Sequence, residues 1–200
     1  LHRMCHLPQD RQIHAYANRD WVPLINSTFG THYEWGHLFQ QLFRPSDLVQ
    51  QRLESFAAHT AKPYIAVAFR MQNLLGDYSE YAYQPASVQK QRELLQMLTN
   101  QLVRIYNTEN IPLLVTSDSE RLTREVEHLD FVFTNIGKAA HVDTLAGQPL
   151  EHYMKSVVDF YLLAGAKKIY AVVTNEMYPS DFPRYAALVG GVPFERICLE

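Results

Sequence analysis

The sequence lacks several features that assign a chain to a class at once. It has only two cysteines, Cys5 and Cys198, near opposite ends of 200 residues, too few for a disulfide framework or a zinc cluster. No apolar run reaches the about 18–20 residues needed to cross a bilayer, and the first residues show no signal-peptide pattern. We therefore predict two reduced thiols, no metal site and no transmembrane segment in this chain.

An excess of positive charge is also missing. The 18 Lys and Arg residues are outnumbered by 21 Asp and Glu residues, giving a formal net charge of -3. A non-specific nucleic-acid binder needs a broad basic surface, so we exclude nucleic acid as a partner. A small anionic ligand is compatible with this balance, because one arginine and a few backbone N–H groups suffice to hold it.

Two glycine-rich phosphate motifs are absent as well. No apolar run is followed by Gly-x-Gly-x-x-Gly, which disfavours an ordinary nicotinamide-dependent oxidoreductase. The pattern Gly-x-x-x-x-Gly-Lys-Ser/Thr does not occur either, which excludes a P-loop enzyme. Because the chain begins at Leu1, we expect it to start inside a longer protein or after processing. Localisation stays open, with a cytoplasmic or membrane-peripheral one favoured.

A regular alternation of short apolar runs and helical patterns is present from Pro45 onward. The sequence predicts five strands, over residues 64–69, 111–116, 131–133, 169–173 and 194–197. It predicts helices over residues 86–107, 150–164 and 181–189, a helix starting at Ser46 and another carrying Leu122, Val126 and Leu129. Short apolar strands separated by helices are typical of an α/β fold, a Rossmann-like parallel sheet with helices on both faces.

The first 45 residues differ from the rest. They have weak periodicity and many aromatic and histidine residues. We predict that residues 1–45 form an irregular junction segment with one short helix, and not an independent domain, because they lack two periodic elements that could bury a core. Residues 46–200 then form the Rossmann-like domain. We interpret His32 and His37 as packing or surface residues.

Candidate ligand-binding residues follow the predicted strands, because ligands of such sheets bind beyond the carboxyl ends of the strands. Arg70 follows the first strand. Its guanidinium can donate two hydrogen bonds to the oxygens of a diphosphate. The alternative is a structural ion pair with Asp77, and the sequence leaves both open. We interpret Tyr78, Tyr81 and Tyr83 as loop surface.

Ser117 and Asp118 follow the second strand. Ser117 and Glu120 have the spacing of a capping box, and a carboxylate at Asp118 is favoured at a helix start. Capping alone is the simpler interpretation. A carboxylate in this place can also accept hydrogen bonds from a guanine edge or a ribose, and the two roles are compatible.

The fourth strand is followed by Thr174 and then by Ser180-Asp181-Phe182-Pro183. The sequence predicts Ser180 as an N-cap, with Pro183 tolerated in the first helical turn. A helix N-terminus at the carboxyl edge of a sheet is a ready anion site. We therefore expect Arg70, Asp118 and Ser180 to face one crevice.

Several of these segments together resemble the donor domain of GDP-fucose-dependent fucosyltransferases. The segments are Phe43-Arg44-Pro45-Ser46, the run Tyr64-Ile65-Ala66-Val67-Ala68-Phe69-Arg70, Thr116-Ser117-Asp118, and Ser180-Asp181-Phe182-Pro183. The last three correspond, in order, to a strand ending in His-x-Arg with an Asp shortly after it, a Thr/Ser-Asp strand end, and a Ser-x-Phe-Ser turn. The resemblance covers residues 43–191. Three departures stand out: Ala68 replaces the His, Met71 replaces a second Arg, and Pro183 replaces the second Ser.

The resemblance implies one half of a two-domain glycosyltransferase that needs no metal and no cofactor. The donor half is C-terminal, so an N-terminal domain would lie outside this chain. GDP-fucose would be the donor and a glycan or peptide the acceptor. Arg70 would bind the β-phosphate and act in catalysis, Asp118 would bind the guanine or ribose, and Ser180 the phosphates. The full predicted donor-binding set is Arg70, Asp77, Ser117, Asp118, Thr174, Ser180 and Phe182. The alternative is a non-catalytic nucleotide- or carbohydrate-binding module of the same fold.

Overall fold

The computed structural model describes residues 20–78, 84–139 and 149–200. The chain divides into two units, Leu1–Trp35 and Gly36–Glu200. In the first unit, helix α1 (Val22–Phe29) ends at Gly30, whose φ of 64° is left-handed, as is common at helix ends. The Asn26 side chain holds the turn that follows by accepting the Thr31 hydroxyl at 2.9 Å and the Tyr33 N–H at 2.9 Å.

The second unit contains the sheet and the helices that cover it. Helix α2 is Trp35–Leu42, so all of it except its first residue belongs to this unit; α3 is Asp47–Glu54 and α4 is Ala57–Thr60. The sheet and its connecting helices follow as β1 (Ile65–Phe69), α5 (Val88–Glu109), β2 (Leu113–Ser117), α6 (Glu120–Val126), β3 (Val132–Thr134), α7 (Leu150–Ala164), β4 (Lys168–Thr174), α8 (Phe182–Gly190) and β5 (Phe194–Leu199). No helix among the described residues is long and apolar enough to cross a membrane.

The five strands are all parallel and lie in the order β3-β2-β1-β4-β5. In the centre, Val67 of β1 is in register with Val115 of β2 on one side and Tyr170 of β4 on the other. The chain therefore runs outward from β1 in one direction through β2 and β3. It then crosses back and runs outward through β4 and β5. The predicted α/β fold with a Rossmann-like parallel sheet is confirmed.

Both faces of the sheet are buried, because alternate residues of each central strand point to opposite sides. On one face, Val67 and Val115 pack under α5 and α6 with Leu94, Leu98 and Leu122. On the other face, the packing partners are Ala66, Leu114, Ile169, Val158, Leu163 and Ala187. All five residues of β1 are buried. Strand β1 is therefore the centre of the core, and its carboxyl end lies where elements of both faces meet.

Glycine permits the close packing of helices on the second face. A Cβ at Gly190, near the end of α8, would overlap the carbonyl oxygen of Ala164 in α7. A Cβ at Gly36 of α2 would overlap the carbonyl oxygen of Leu188. Because a carbonyl oxygen belongs to the backbone and cannot turn away, these contacts require residues without a side chain.

Three expectations from the sequence need correction. The described residues 20–44 contain two helices, α1 and α2, where one was predicted for the segment. Leu38, Phe39 and Leu42 give α2 an apolar side that the surrounding aromatic and histidine residues obscure. The apolar periodicity of the two helical segments also predicts that Leu48 and Val157 lie on the inner sides of their helices, whereas both are exposed. Their neighbours Val49 and Val158 take the buried positions, because an α-helix turns by about 100° per residue. The domain boundary at residue 45 stays a prediction.

Candidate functional site

The order of the strands distinguishes the carboxyl ends of β1 and β4 from the rest of that edge of the sheet. Connections leave β1 and β4, which are neighbours, in opposite directions. In parallel sheets of this kind a crevice forms outside the carboxyl ends of those two strands, and ligands bind there. Arg70 lies directly after β1, and Thr174 is the last residue of β4. This edge is the candidate site.

Two neighbours among the described residues hold Arg70 in place. Its Nη1 atom donates to Oδ2 of Asp118 at 2.8 Å. Its guanidinium carbon lies 4.9 Å from the centre of the Tyr78 ring, within the range of a cation–π contact. The Arg70 side chain keeps 19% of its surface exposed, whereas that of Asp118 keeps 5%. Arg70 therefore brings positive charge to the surface of the sheet edge.

Asp118 is bonded within the protein through both carboxylate oxygens. Its Oδ1 accepts the N–H of Met71 at 2.7 Å and the hydroxyl of Ser117 at 3.3 Å. Its Oδ2 accepts the N–H of Gln72 at 2.8 Å and the Arg70 bond. Burial raises the pKa of the Asp118 carboxyl, and the Arg70 charge opposes this shift. Because the groups that bond to it within the described part of the chain are all donors, we assign Asp118 the ionised form.

The backbone after β1 is shaped to receive this carboxylate. Gln72 adopts a φ of 51°, in the left-handed region, and is buried. Successive N–H groups around such a residue point to one side and form a small anion-binding concavity. Here the concavity formed by Met71 and Gln72 holds the side chain of Asp118. The anion at this place thus comes from the protein itself.

Asp77 makes the return contact to the β2–α6 segment. Its carboxylate accepts the Ser119 hydroxyl at 2.9 and 3.0 Å and the N–H of Arg121 at 2.7 Å. The ion pair of Arg70 that the structure shows is therefore with Asp118, where the sequence suggested Asp77. Asp77 instead stabilises the N-terminus of α6, where a negative charge is favoured.

The helix cap after β2 also differs from the prediction. Ser119, and not Ser117, is the N-cap of α6, since its hydroxyl accepts the N–H of Leu122 at 3.1 Å. Ser117 is buried and accepts the N–H of Ser119 at 3.1 Å. The helix begins at Glu120, so a hydroxyl at position 117 is too far from the first helical turn to cap it.

At the end of β4, the side chains form a polar cluster with the start of α5. The Thr174 hydroxyl donates to Oε2 of Glu176 at 2.8 Å, and Lys90 Nζ lies 2.8 Å from Oε1 of the same carboxylate. The hydrogen bonds from Lys90 and Thr174 lower the pKa of Glu176. Glu176 is therefore an ionised acceptor at the edge where α5 begins.

Ser180 and Phe182 lie farther along the same edge. The N-cap of α8 is Asp181, without a side-chain capping bond, and the Ser180 hydroxyl accepts the N–H of Phe182 at 3.2 Å. A Ser180 cap would bond three residues ahead, where Pro183 has no N–H. The Ser180 carbonyl accepts from Arg196 of β5 at 3.3 Å. Phe182 packs edge-on against Phe160, with ring centres 5.4 Å apart.

The structure thus brings part of the predicted set together. Arg70, Asp77, Ser117 and Asp118 form one hydrogen-bonded cluster between the loops after β1 and β2. Thr174 belongs to the separate Glu176 cluster, and the bonds of Ser180 lead toward β5. Among residues 20–78, 84–139 and 149–200, no group of three or more His, Cys, Asp or Glu side chains could hold a metal ion.

One apolar pocket of about 410 Å³ lies away from this edge. It is lined by Phe39, Phe43 and Tyr161 together with Gly165 and Gly190, which end α7 and α8. Both helices end just before the strand that follows, so this pocket belongs to the amino edge of the sheet. The charged candidate site is at the opposite edge.

The chain is similar to solved structures of a fucosyltransferase. NodZ α-1,6-fucosyltransferase co-crystallised with GDP is 16% identical, with a TM-score of 0.44 over 72% of this chain and 42% of that chain. NodZ soaked with GDP-fucose is 15% identical, with a TM-score of 0.46 over 76% and 45%. NodZ from Bradyrhizobium is 16% identical, with a TM-score of 0.43 over 72% and 42%. This chain spans less than half the length of these structures. No protein-family model and no curated protein matches the sequence.

Sequence reasoning missed three residues of the loop cluster. Tyr78, interpreted as loop surface, is buried at 6% exposure beneath Arg70; Tyr81 and Tyr83 lie outside the described residues. Ser119 was a recognisable cap candidate, since a serine followed three residues later by a buried leucine fits an N-cap. Arg121 carries no local signal, because the acceptors of its Nη1, the Leu75 carbonyl and the Gln91 side chain, are 46 and 30 residues away.

Proposed function

We propose that this chain is the donor-binding half of a metal-independent glycosyltransferase that transfers fucose from GDP-fucose to a glycan or peptide. The observation that carries the proposal is the position of Arg70. It follows the central strand at the edge where the connections diverge, it is partly exposed, and Asp118 and Tyr78 hold it. The resemblance of the three strand-end motifs to fucosyltransferase donor domains adds the choice of donor.

The chemistry of sugar transfer explains why an arginine is needed there. The bond between sugar and diphosphate breaks with oxocarbenium character, and negative charge develops on the departing phosphate. A fixed cation next to that oxygen stabilises the transition state more than the ground state. Arg70 would supply this charge. In the proposed complex, the diphosphate lies beyond the carboxyl ends of β1 and β4.

We propose a contact to the base that differs from the one the resemblance implied. The Asp118 oxygens already accept bonds from Met71, Gln72, Ser117 and Arg70, so we do not propose Asp118 as the guanine or ribose contact. Glu176 is an alternative acceptor, because it is ionised and 41% exposed at the end of β4. An exposed carboxylate can accept the N–H groups of a guanine edge.

Calorimetry of GDP binding tests the phosphate role. Replacing Arg70 with Ala should weaken GDP binding by about 1.5–3 kcal/mol, the loss of a charge-assisted contact. Arg70→Lys should keep only part of the GDP affinity, because an ammonium group is a point charge and lacks the planar, two-pronged donor geometry of a guanidinium. Arg104→Ala, on an exposed part of α5, is the matched control and should leave affinity unchanged. Unchanged GDP affinity in folded Arg70→Ala would refute the phosphate role.

A non-catalytic binding module of the same fold is the second candidate. Two observations favour it: Ala68 stands where the family has a histidine, and Asp118 is committed to internal bonds. Both candidates predict that GDP raises the melting temperature, so turnover separates them. The full-length protein should release GDP from GDP-fucose if it is a transferase. Binding of GDP or of a glycan without any release would establish the module instead.

A further inference from the structure

We infer that Tyr78 and Asp118 are positioning residues that orient the Arg70 guanidinium toward an anionic ligand at the carboxyl edge. This inference rests on the proposed function, because it assigns roles at the same site. It departs from the expectation that Asp118 contacts the nucleotide directly and that Tyr78 is loop surface. The observations that carry it are the contacts of three side chains on two loops.

The two contacts constrain different degrees of freedom of the guanidinium. The Asp118 bond at 2.8 Å holds Nη1, one end of the planar group. The Tyr78 ring, 4.9 Å from the guanidinium carbon, supports the face of the group. An end and a face together define both the direction and the plane of the fork. Bidentate recognition of a phosphate depends on that plane, which a lysine does not have.

Both positioning groups are themselves held by the protein. Tyr78 is 6% exposed and packs into the protein. The Asp118 carboxylate is fixed by the N–H groups of Met71 and Gln72 as well as by Arg70. Asp118 would therefore keep its place even without Arg70. The orientation of Arg70 thus depends on Asp118, and not the reverse. An arginine oriented before the ligand arrives loses less rotamer freedom on binding than a mobile one.

The exposed fractions of the two side chains agree with Asp118 orienting Arg70. Asp118 is the buried member of the ion pair, at 5% side-chain exposure, and Arg70 is the exposed member, at 19%. Because burial raises the energy of an isolated carboxylate, Asp118 needs its donors to stay ionised. Its charge thus remains inside the protein, and the guanidinium lies between that charge and the surface of the edge.

GDP titrations of three variants test the inference. Tyr78→Leu removes the ring and should weaken GDP binding about fivefold, the scale of one cation–π contact. Tyr78→Phe keeps the ring and should restore most of that loss. Asp118→Asn keeps the shape but removes the charge, and should weaken binding about tenfold. Tyr106→Leu, which removes a ring stacked on Phe131 at 4.2 Å, is the matched control and should leave GDP affinity unchanged.

A double-mutant cycle separates positioning from general stability. If Tyr78 acts through Arg70, Tyr78→Leu should cost no further GDP affinity once Arg70 is already Ala. An equal loss in both backgrounds overturns the inference, as does unchanged or tighter GDP binding by folded Asp118→Asn. If Arg70→Ala itself leaves GDP affinity unchanged, the proposed phosphate role fails instead, so the two failures are distinguishable.

A measurement on the unmodified side chain covers variants that do not fold. The Nε–Hε signal of Arg70 can be assigned by its loss in Arg70→Lys. The inference expects this signal to have a high order parameter in the absence of GDP, because the fork is already held. An order parameter below about 0.6, typical of a flexible group, overturns it.

Discussion

The carboxylate of Asp77 accepts the hydroxyl of Ser119, the residue next to Asp118, at 2.9 and 3.0 Å. Asp118 in turn accepts the N–H groups of Met71 and Gln72, in the loop to which Asp77 belongs. Each loop thus supplies a carboxylate to the other. Because the two carboxylates bond to different residues, the loops after β1 and β2 are held together at two separate places.

Removing the Asp77 tie should destabilise the protein. Asp77→Ala leaves the Ser119 hydroxyl and the Arg121 N–H without this acceptor and removes a favourable charge from the N-terminus of α6. We expect a loss of about 1–3 kcal/mol in the free energy of unfolding, measured by urea denaturation. The control Asp130→Ala, at an exposed turn position, should change it by less than about 0.5 kcal/mol. Equal effects of the two substitutions would contradict the assignment.

Breaking the buried pair of Lys155 and Asp159 should have a larger effect. Lys155 Nζ lies 2.6 Å from Oδ2 of Asp159, Asn135 donates to Oδ1 at 2.8 Å, and all three residues are buried. Lys155→Met leaves a buried carboxylate without its cation and should cost about 3–5 kcal/mol. Lys155→Met combined with Asp159→Leu should recover part of this loss. Lys167→Met, on the surface, is the control.

The loss of stability caused by Lys155→Met should depend on pH. Burial raises the pKa of Asp159, and the Lys155 charge opposes that shift. Without Lys155 the folded-state pKa should rise further, so folding then favours the protonated form. The stability of Lys155→Met relative to the unmodified protein should therefore be greatest at acid pH and fall as pH rises through the raised pKa. Urea denaturation of both proteins at acid and at neutral pH measures this; a stability difference that stays constant between the two pH values would show that the pair is unimportant.

Tyr64 should make stability fall in alkaline solution. Its hydroxyl donates to the Leu162 carbonyl at 2.7 Å, and burial raises its pKa from 10.0 to about 12. Folding favours the neutral phenol, so this contribution is fully present below pH 10.0 and is lost as pH rises through about 12. Tyr64→Phe should remove that part of the pH dependence. Parallel stability curves for the two proteins between those pH values would argue against it.

Gly190 should tolerate no side chain, for a reason different from that of its neighbour Gly191. A Cβ at Gly190 would overlap the Ala164 carbonyl oxygen, whereas Gly191 has open space around it and a left-handed φ of 62°. Gly190→Ala should therefore cost about 1–3 kcal/mol in thermal or urea unfolding. Asn tolerates left-handed backbone, so Gly191→Asn should be mild and Gly190→Asn severe. The reverse order would show that backbone conformation decides at both positions.

The sequence predicted the strands closely because their signal is local. The run from Tyr64 to Phe69 is apolar throughout, and β1 occupies Ile65–Phe69 with every residue buried. The ends of helices were less predictable. Ser117 and Ser180 have plausible capping spacing, yet the caps formed depend on where the turn starts and on the missing N–H of Pro183. Moving a helix start by two residues changes the energy little, but it changes the hydrogen-bond partner of every residue in the turn.

The sequence by itself determined the order of elements, the parallel sheet and the edge at which Arg70 lies. The reason is that apolar periodicity and strand ends depend on residues close together in the chain. Only the tertiary structure decided that Asp118 binds the backbone of Met71 and Gln72, and that Tyr78 supports Arg70. Arg70 and Asp118 are 48 residues apart in the chain. Their contact follows from the pairing of β1 with β2, which aligns the two strand ends, and no local pattern encodes it.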